Sequence, residues 1–541
     1  MKILYAASEA APYAKSGGLA DVAGALPKAL VRDGIDCRVI MPLYGDLKFK
    51  DTLTYVTNFS VPVGWRSQYC GLFKAEHDGV TFYFIDNEYY FKRSGLYGFY
   101  DDGERFAFFS RAILETLFYT DFEPDIINCN DWQTALTPVY LNLYYRHLDK
   151  FNHIKTVFTI HNIAYQGKYG MDILEDTCGI GARDAHIVEY DGCANFMKGA
   201  IETADKVTTV SPTYAQEILD PWFSHGLDGL LRQKQYKLCG ILNGIDVDVF
   251  NPATDPDIPQ NYDANTVQQG KPVCKAALQD EFGLNKDGSP VMAMVTRLVG
   301  HKGVDLVRSI AEGLLQQGIE LVILGSGEAQ YENFFNELCA RNPGRVGVYI
   351  GFNAKLAQRI YAGADIFLMP SRSEPCGLAQ MVSCRYGTIP VVRETGGLRD
   401  SIHDSGDGYG NGFTFANYNA HELYEACWRA KEGYWNKEGW PVLVKRAMEC
   451  DFSWSNSAKS YEGLYNEVVK LLPNELKSNP AVCSLKSRIQ RDFCFIGIGP
   501  VKRKTERIDT PVRQHSSVTG ETNRMLPERS TGISKKPAIR K

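Results

Sequence analysis

The stretch that decides the fold is "MKILYAASEAAPYAKSGGLADV" at residues 1–22, in which an apolar run leads through a glycine pair into an amphipathic segment. An apolar run followed by a glycine turn and an amphipathic segment is typical of a buried strand that leads into a helix. A closely similar string, "TGGLRD", occupies residues 395–400 and also follows an apolar run. The two strings are either two ordinary strand-to-helix turns or two halves of one site for an anionic ligand.

Length and composition restrict the class of protein. A chain of 541 residues is too long for one core, and 44% hydrophobic with 23% charged residues is typical of a globular protein. No apolar run approaches the roughly 18 residues of a membrane span, and a net charge of −5 gives no sign of a nucleic-acid surface. We therefore expect neither a membrane nor a nucleic acid as partner.

The cysteines and the chain start suggest a compartment. Fourteen cysteines lie in apolar surroundings without CxxC pairs or zinc spacing, which favours reduced thiols and no metal site. The first residues read as a strand and lack the basic, apolar and small-residue segments of a secretory leader. We expect a cytoplasmic protein, or a plastid protein if the chain is a processed plant product.

Apolar runs alternate with amphipathic segments along most of the chain, which predicts two doubly wound, Rossmann-like α/β domains facing a cleft. The first domain is expected at residues 1–250 and the second at 271–455. Residues 251–270, rich in Pro, Asp, Asn and Gln, are expected to link them. Residues 474–541 are basic and poor in large apolar residues, so we predict a disordered tail.

Both glycine strings have the chemistry of an anion site. Ser16 and Thr395 can cap the helices that follow, and the glycines let backbone N–H groups approach a ligand at the positive end of a helix dipole. Lys15 precedes the first string, and "TRLVGHKG" places Arg297 and Lys302 after the apolar run "VMAMV". Such cations can neutralise a departing pyrophosphate, although either string alone also fits an ordinary turn.

Other polar residues follow predicted strands. "PSRSEPCGLAQ" places Glu374 on a loop where a carboxylate can accept hydrogen bonds from sugar hydroxyls, and Cys376 has no base paired with it in sequence. "FTIHNIAYQG" places His161 and Asn162 at a strand end, and "NCNDWQT" does the same for Asp131. A single such residue is usually structural, but several at one cleft favour a functional site.

Taken together, "KSGGLADV", "DWQT", "TIHNIAYQG", "GILNGID", "TRLVGHKG", "PSRSEPCGL" and "RYGTIPVVRETGGLRD" closely resemble the bacterial glycogen synthases and plant starch synthases. The resemblance extends from about residue 1 to 472. It implies the two-domain GT-B glycosyltransferase fold, with a helix at residues 456–473 that crosses back to the first domain. It also implies transfer of glucose from ADP-glucose to the non-reducing end of an α-1,4-glucan, with retention of configuration and neither metal nor other cofactor.

The resemblance also assigns roles to residues. As catalytic residues it implies Lys15, His161, Arg297, Lys302 and Glu374: the cations stabilise the departing phosphates, Glu374 binds sugar hydroxyls, and His161 contacts the glucose near C6. The expected binding residues are Gly17, Gly18, Asp21, Tyr97, Asp131, Trp132, Asn162, Asn243, Phe352, Cys376, Gly377, Leu378, Thr395, Gly396 and Gly397. Among these, the second glycine string is expected to hold the same pyrophosphate as the first, and Tyr97 and Trp132 to offer the glucan an apolar face.

Some alternatives remain open at this level. Phe352 stands where many relatives are expected to carry a tyrosine that stacks on adenine. A dinucleotide oxidoreductase is disfavoured because GxGxxG is missing after the first strand. A UDP-glucose-using relative and a catalytically silent glucan-binding relative remain, and oligomeric state is not predicted.

Overall fold

Strands and helices alternate throughout residues 1–471, the part of the chain that the computed structural model describes. The tail predicted at residues 474–541 lies outside these described residues. The strands are β1 (Lys2–Ala6), β2 (Asp36–Pro42), β3 (Thr54–Val63), β4 (Arg66–His77), β5 (Val80–Asp86), β6 (Ile126–Asn130), β7 (Lys155–Ile160), β8 (Lys168–Tyr169), β9 (Glu189–Tyr190), β10 (Cys193–Asn195), β11 (Lys206–Thr209), β12 (Leu238–Gly240), β13 (Val291–Val295), β14 (Glu320–Gly325), β15 (Val346–Ile350), β16 (Ile366–Met369), β17 (Ile389–Arg393) and β18 (Phe413–Phe415). The helices are α1 (Gly18–Arg32), α2 (Glu88–Phe91), α3 (Asp102–Thr116), α4 (Leu136–Tyr140), α5 (Asp172–Asp176), α6 (Phe196–Thr203), α7 (Pro212–Glu217), α8 (Asp228–Gln233), α9 (Val267–Phe282), α10 (Val304–Gln316), α11 (Ala329–Arg341), α12 (Ala354–Gly363), α13 (Ala379–Arg385), α14 (Gly396–Ser401), α15 (Ala420–Trp435), α16 (Gly439–Glu449) and α17 (Trp454–Val469).

The first large sheet has nine strands in the order β12-β11-β7-β6-β1-β2-β5-β4-β3. All neighbours pair in parallel except β3 with β4 and β4 with β5, which are antiparallel. The central strands are buried on both faces, as parallel sheets covered by helices require. The antiparallel edge hairpin was not among the expected strands, because its apolar residues alternate with exposed ones and give no continuous run.

The second large sheet has six parallel strands in the order β15-β14-β13-β16-β17-β18. Its strands β13, β14 and β17 are almost completely buried. This order corresponds to the Rossmann arrangement, in which the chain reverses its winding direction after the third strand.

Strand order locates the ligand-binding edges before any side chain is considered. In doubly wound sheets, ligands bind outside the carboxyl ends of the two strands at which the winding direction reverses. These strands are β1 and β6 in the first sheet and β13 and β16 in the second. The segments that follow them are those containing the first glycine string, Asp131, the Arg297 and Lys302 pair, and Glu374.

Two further segments connect parts of the fold: the expected linker at residues 251–270 and the last helix, α17. Helix α9 begins at Val267, so the last four residues of the expected linker at 251–270 are helical. Tyr262 in that segment is buried and donates to the carbonyl of Tyr386, 2.8 Å away. Helix α17 packs against α1, and Tyr465 donates to Asn128 Oδ1 at 2.9 Å.

Candidate active site

The first glycine string is exposed at the start of α1. Residues 15–18 are all exposed, and a Cβ added at Gly18 would meet no atom within 4 Å. The side chain of Lys15 reaches Asp21 Oδ1 at 2.6 Å, on the outer surface of the first helical turn. The string therefore presents an open helix start with a cation beside it, as an anion site requires.

Glu9 organises this string from behind. Its carboxylate accepts a hydrogen bond from the backbone N–H of Ser16 and another from Gly17. Burial raises the pKa of the Glu9 carboxyl, and these hydrogen bonds oppose that rise. The cap of α1 is Gly17, without a side-chain bond, so the expectation that Ser16 caps this helix is wrong. The N–H of Gly17 is likewise engaged by Glu9, whereas Gly18, the first residue of α1, is exposed.

The second glycine string has the opposite surroundings. Thr395, Gly396 and Gly397 are all buried. A Cβ at Gly396 would lie 2.0 Å from the carbonyl oxygen of Glu374, and one at Gly397 would lie 2.1 Å from that of Cys376. Gly396 also has a φ of +44°, in the left-handed region that favours glycine. These glycines allow the turn to pack directly against the loop that carries Glu374.

The donors of the second string are occupied by protein groups. Glu217 Oε1, at the end of α7, accepts from Thr395 Oγ1 at 2.8 Å and from the N–H of Gly396 at 3.0 Å. Asp400, in α14, accepts in return from the N–H and the hydroxyl of Thr213, in the first turn of α7. Thr395 occupies the cap position of α14 but its hydroxyl bonds to Glu217, so the expectation that it caps the helix with its side chain is wrong. The second string joins the two domains here. The N–H groups of Gly396 and Gly397 bond to protein acceptors, so they are not free for the pyrophosphate that they were expected to hold.

Lys302 and Glu374 meet at the reversal point of the second sheet. Their Nζ and Oε2 atoms are 2.6 Å apart, and the same oxygen accepts from Ser371 Oγ at 2.9 Å. Gly303, with a φ of +75°, makes the approach of the two loops possible, because a Cβ there would lie 2.1 Å from the carbonyl oxygen of Pro370. Sequence spacing of 72 residues gives no sign of this pair, whereas the strand order does.

Arg297 and Phe352 are the exposed members of this edge. Arg297 follows β13, and within residues 1–471 no hydrogen bond or ion pair reaches its guanidinium. Phe352 follows β15 and is 90% exposed. A cation without a partner among residues 1–471 and an uncovered aromatic ring lie at the carboxyl ends of β13 and β15, which flank β14 in the sheet. They suit a phosphate and a flat ring, respectively.

Asp131, which follows β6 at the reversal point of the first sheet, meets His161, which follows the neighbouring strand β7. Asp131 Oδ1 accepts from the backbone N–H of His161 at 2.7 Å and, at 3.4 Å, from that of Asn162, whose side chain is exposed. Asp131 has a φ of +55° and a ψ of −179°, a conformation that costs a non-glycine residue about 1–3 kcal/mol. Burial raises its pKa to about 7, and burial lowers the pKa of His161 to about 3. Strain and a displaced pKa at one strand end are typical of functional sites.

The segment after Glu374 contacts the first domain. Cys376 Sγ accepts from the backbone N–H of Asn243, and burial raises the pKa of this thiol to about 12, so it is not a nucleophile at neutral pH. Asn243 is buried, and its Oδ1 atom has no hydrogen-bond partner among the described residues. The N–H groups of Gly377 and Leu378, at the start of α13, likewise bond to no described residue. Asn243 Oδ1 and these two N–H groups are therefore polar atoms without a partner in the described part of the chain.

Trp132 and Tyr97 were both expected to offer a glucan an apolar face, and the structure places them in different surroundings. Trp132 is 9% exposed, and its ring packs among Phe106, Tyr169 and Phe196. Tyr97 is half-buried, and its hydroxyl lies 2.7 Å from Ser8 Oγ. The Trp132 ring is therefore part of the core and offers no open face, because an indole is large enough to fill the space behind the strand end.

Three polar residues that sequence reasoning missed organise the site: Glu9, Asn130 and Glu217. Glu9 and Asn130 lie close to quoted motifs, but only the fold shows which donors they face. Glu217 has no motif of its own and lies 178 residues from Thr395. Lys15 contacts neither Lys302 nor Glu374 through any hydrogen bond or ion pair between described residues.

Within residues 1–471, no group of three or more His, Cys, Asp or Glu side chains is placed to hold a metal, and no helix is long and apolar enough to cross a membrane. The cysteines in the same part of the chain are all free.

Comparison with known proteins agrees with this geometry. The family model for the starch synthase catalytic domain matches residues 2–233, and that for glycosyl transferases group 1 matches residues 277–436. The catalytic domain of starch synthase IV from Arabidopsis thaliana, solved with ADP and acarbose, is 36% identical with a TM-score of 0.79. That match covers 87% of this chain and 99% of the other. The fold and site therefore define a GT-B glycosyltransferase, which confirms the expected fold class.

Relatives with similar sequences show to which family of glycosyltransferases the chain belongs. The glycogen synthase of Geobacillus thermodenitrificans is 50% identical over 477 residues, which are 87% of this chain and 98% of the relative. That of Clostridium acetobutylicum is 51% identical over 479 residues, 87% of this chain and all of the relative. The chain belongs to the glycogen synthase family of glucan-synthesising hexosyltransferases, as the motifs predicted.

Proposed function

We propose that the chain transfers glucose from ADP-glucose to the non-reducing 4-hydroxyl of an α-1,4-glucan, with retention of configuration and without a metal ion. Relatives named glycogen synthase and the related domain solved with ADP and acarbose support the donor and acceptor classes. The observation that carries the proposal is the Lys302–Glu374 pair at the reversal point of the second sheet, together with Arg297, which has no partner among residues 1–471.

In this proposal, the donor diphosphate lies across the carboxyl ends of β13 and β16. Arg297 and Lys302 stabilise the negative charge that grows on the phosphate as the bond to glucose breaks. The open helix start at Gly18 and the cation of Lys15 approach the same phosphates from the first domain. Phe352 is exposed for stacking on adenine, where a phenyl ring serves as well as a phenol.

The sugar is proposed to lie between the domains. Glu374, Asn243 and the free N–H groups of Gly377 and Leu378 supply hydrogen bonds to its hydroxyls, and His161 contacts it near C6. Asp21, Asp131 and Asn162 order the sugar and the acceptor side, where Tyr97 adds an apolar face. The departing phosphate oxygen takes the proton of the incoming 4-hydroxyl on the same face, which retains the configuration without a protein nucleophile.

Incorporation of labelled glucose tests this proposal. Purified protein is incubated with glycogen and labelled ADP-glucose or UDP-glucose, with a chelator present, and label in polymer is measured. We expect incorporation from ADP-glucose. Incorporation from UDP-glucose alone would make the chain a UDP-glucose-using relative. Incorporation from neither donor would contradict the proposed transfer and leave the catalytically silent relative as the alternative.

The Lys302→Ala variant tests the leaving-group role. Removing one preorganised charge from a developing anion typically costs a factor of about 10²–10³ in kcat. We expect such a loss of turnover with unchanged glucan binding, and Lys275→Ala, which removes a second-domain lysine paired with Asp365, serves as the comparison for indirect effects on stability. Equal loss of glucan binding and turnover would contradict the role.

A further inference from the structure

Among residues 1–471, one group forms a hydrogen bond with the side chain of His161. His161 Nε2 lies 2.9 Å from Oδ1 of Asn130, the last residue of β6. Asn130 itself is completely buried, and the Tyr5 hydroxyl donates to the same oxygen at 3.0 Å. Asn130 at the end of β6 is thus bonded to both neighbouring strands, through His161 after β7 and through Tyr5 in β1.

The orientation of the Asn130 amide is fixed by its other contacts. Its Nδ2 atom donates to the carbonyl oxygen of Ala6 at 2.9 Å and to that of Asn128 at 3.3 Å. A reversed amide would place Oδ1 against two carbonyl oxygens and leave its NH₂ group facing the ring nitrogen, so only the observed orientation satisfies every group. Oδ1 is therefore an acceptor, and His161 Nε2 must carry the hydrogen.

The other ring nitrogen is then unprotonated. No hydrogen bond from residues 1–471 reaches His161 Nδ1. Two titratable groups are connected to His161 by hydrogen bonds: Asp131, whose carboxyl accepts from the backbone of His161, and Tyr5, which bonds to Asn130. Burial lowers the pKa of His161 to about 3, so the ring stays neutral near pH 7.

We propose that Asn130 is a positioning residue that holds His161 as the Nε2-protonated tautomer, so that Nδ1 accepts a hydrogen bond from a hydroxyl group of the transferred sugar. The tautomer follows from the protein alone, whereas the identity of the hydroxyl rests on the proposed function. In this arrangement His161 acts neither as a proton donor nor as a cation. It selects for donors that carry a hydroxyl group at the position it faces, near C6 of the glucose.

The tautomer can be measured in the free protein. Long-range ¹H–¹⁵N NMR spectra of histidine-labelled full-length protein distinguish pyrrole-type from pyridine-type ring nitrogens, and the His161→Gln variant assigns the signal. We expect a pyrrole-type Nε2 and a pyridine-type Nδ1 at pH 7. A protonated Nδ1, or a doubly protonated ring at that pH, would overturn the proposal even if no variant folds.

Two variants test the part played by Asn130. Asn130→Leu has a similar shape but no acceptor, and we expect the two nitrogen shifts to move towards each other as both tautomers become populated. Tyr5→Phe is the matched control, since it removes the other donor to Oδ1 and keeps the acceptor. An unchanged tautomer in Asn130→Leu would refute the role. If this variant does not fold, Asn130→Ala provides the same comparison.

Donor selectivity links the tautomer to transfer. A hydrogen bond of ordinary strength corresponds to roughly tenfold in kcat/KM, so ADP-6-deoxyglucose should be used about tenfold less well than ADP-glucose. We expect this ratio to shrink in Asn130→Leu and to persist in Tyr5→Phe. An unchanged ratio in Asn130→Leu would show that the tautomer of His161 does not affect recognition of the sugar hydroxyl, which would overturn the proposed contact with Nδ1. The expected tautomer in a protein that transfers no glucose would instead disprove the proposed function and leave the inference on Asn130 standing.

Discussion

The two glycine strings have nearly the same sequence and different surroundings. In the first, Gly18 is exposed, and a Cβ added there would meet no atom within 4 Å. The neighbouring Lys15 is also exposed and pairs with Asp21. In the second, Gly396 and Gly397 are buried against the loop of Glu374. The same string is therefore open and exposed at one place and packed against a neighbouring loop at the other.

Strand order explains the difference. The first string follows β1, where the winding of the first sheet reverses, and such strand ends open into a crevice. The second follows β17, which lies one strand beyond the reversal in its sheet. The crevice there belongs to the loops after β13 and β16, and the second string supports the latter from behind.

Adding one methyl group to each string should give the largest contrast. Gly397→Ala forces a Cβ to within 2.1 Å of a backbone oxygen, and we expect it to lower the free energy of unfolding by roughly 2–3 kcal/mol. Gly18→Ala should leave the thermal midpoint nearly unchanged. Thermal unfolding of both variants provides the measurement, and equal midpoints would disprove the packing role of the second string.

Removing the cation of the first string should affect turnover and leave stability unchanged. Lys15→Ala deletes an exposed side chain whose pair with Asp21 contributes little to stability. We expect kcat to fall about 100-fold if Lys15 stabilises the departing phosphate. The matched control is Lys28→Ala in α1, the helix that follows Lys15; it breaks a pair with Asp78 and should keep full turnover. Similar losses in both variants would place the effect in the helix rather than at the ligand.

Much of this arrangement is predictable from sequence. Apolar runs and glycine turns indicate the strands at both reversal points, because continuous burial leaves a continuous apolar run. The loops of Arg297 and Glu374 were expected at the cleft for the same reason. Local patterns contain no information on Glu217, since its partners Thr395 and Gly396 become neighbours only when the domains fold together. The prediction that Trp132 faces a glucan is wrong, because an aromatic residue at a strand end gives the same sequence pattern whether it faces a ligand or the core.

The carboxylates behind the two strings should differ in their contribution to stability. Glu217→Ala leaves the buried donors of Thr395 and Gly396 without a partner, which should cost about 1–2 kcal/mol. Glu9→Ala should cost less, because water can reach the exposed N–H of Ser16. Urea unfolding of both variants measures the difference, and Glu217→Gln, which keeps the acceptor, should recover most of the loss. A larger loss of stability in Glu9→Ala than in Glu217→Ala would contradict the claim that the buried donors depend more strongly on their acceptor.

Asp131, beside the first string, should give stability a pH dependence of moderate size. Its pKa is about 7 in the folded protein against an unperturbed value of 3.8, so between these values the folded state binds more protons than the unfolded state. The free energy of unfolding therefore falls as pH rises, and the contribution of Asp131 is lost as pH passes through about 7. Thermal midpoints from pH 5.5 to 8.0 should fall more steeply for the native protein than for Asp131→Asn.

The Asn variant is a close control, because its amide oxygen can still accept from the N–H of His161 and asparagine tolerates the positive φ. Parallel curves for the two proteins would mean that the folded state keeps Asp131 ionised throughout, and that the strand end carries a fixed negative charge. A steeper curve for the native protein would mean that Asp131 is largely neutral below pH 7. A diphosphate bound near the first string would then meet the cation of Lys15 without an opposing charge from Asp131.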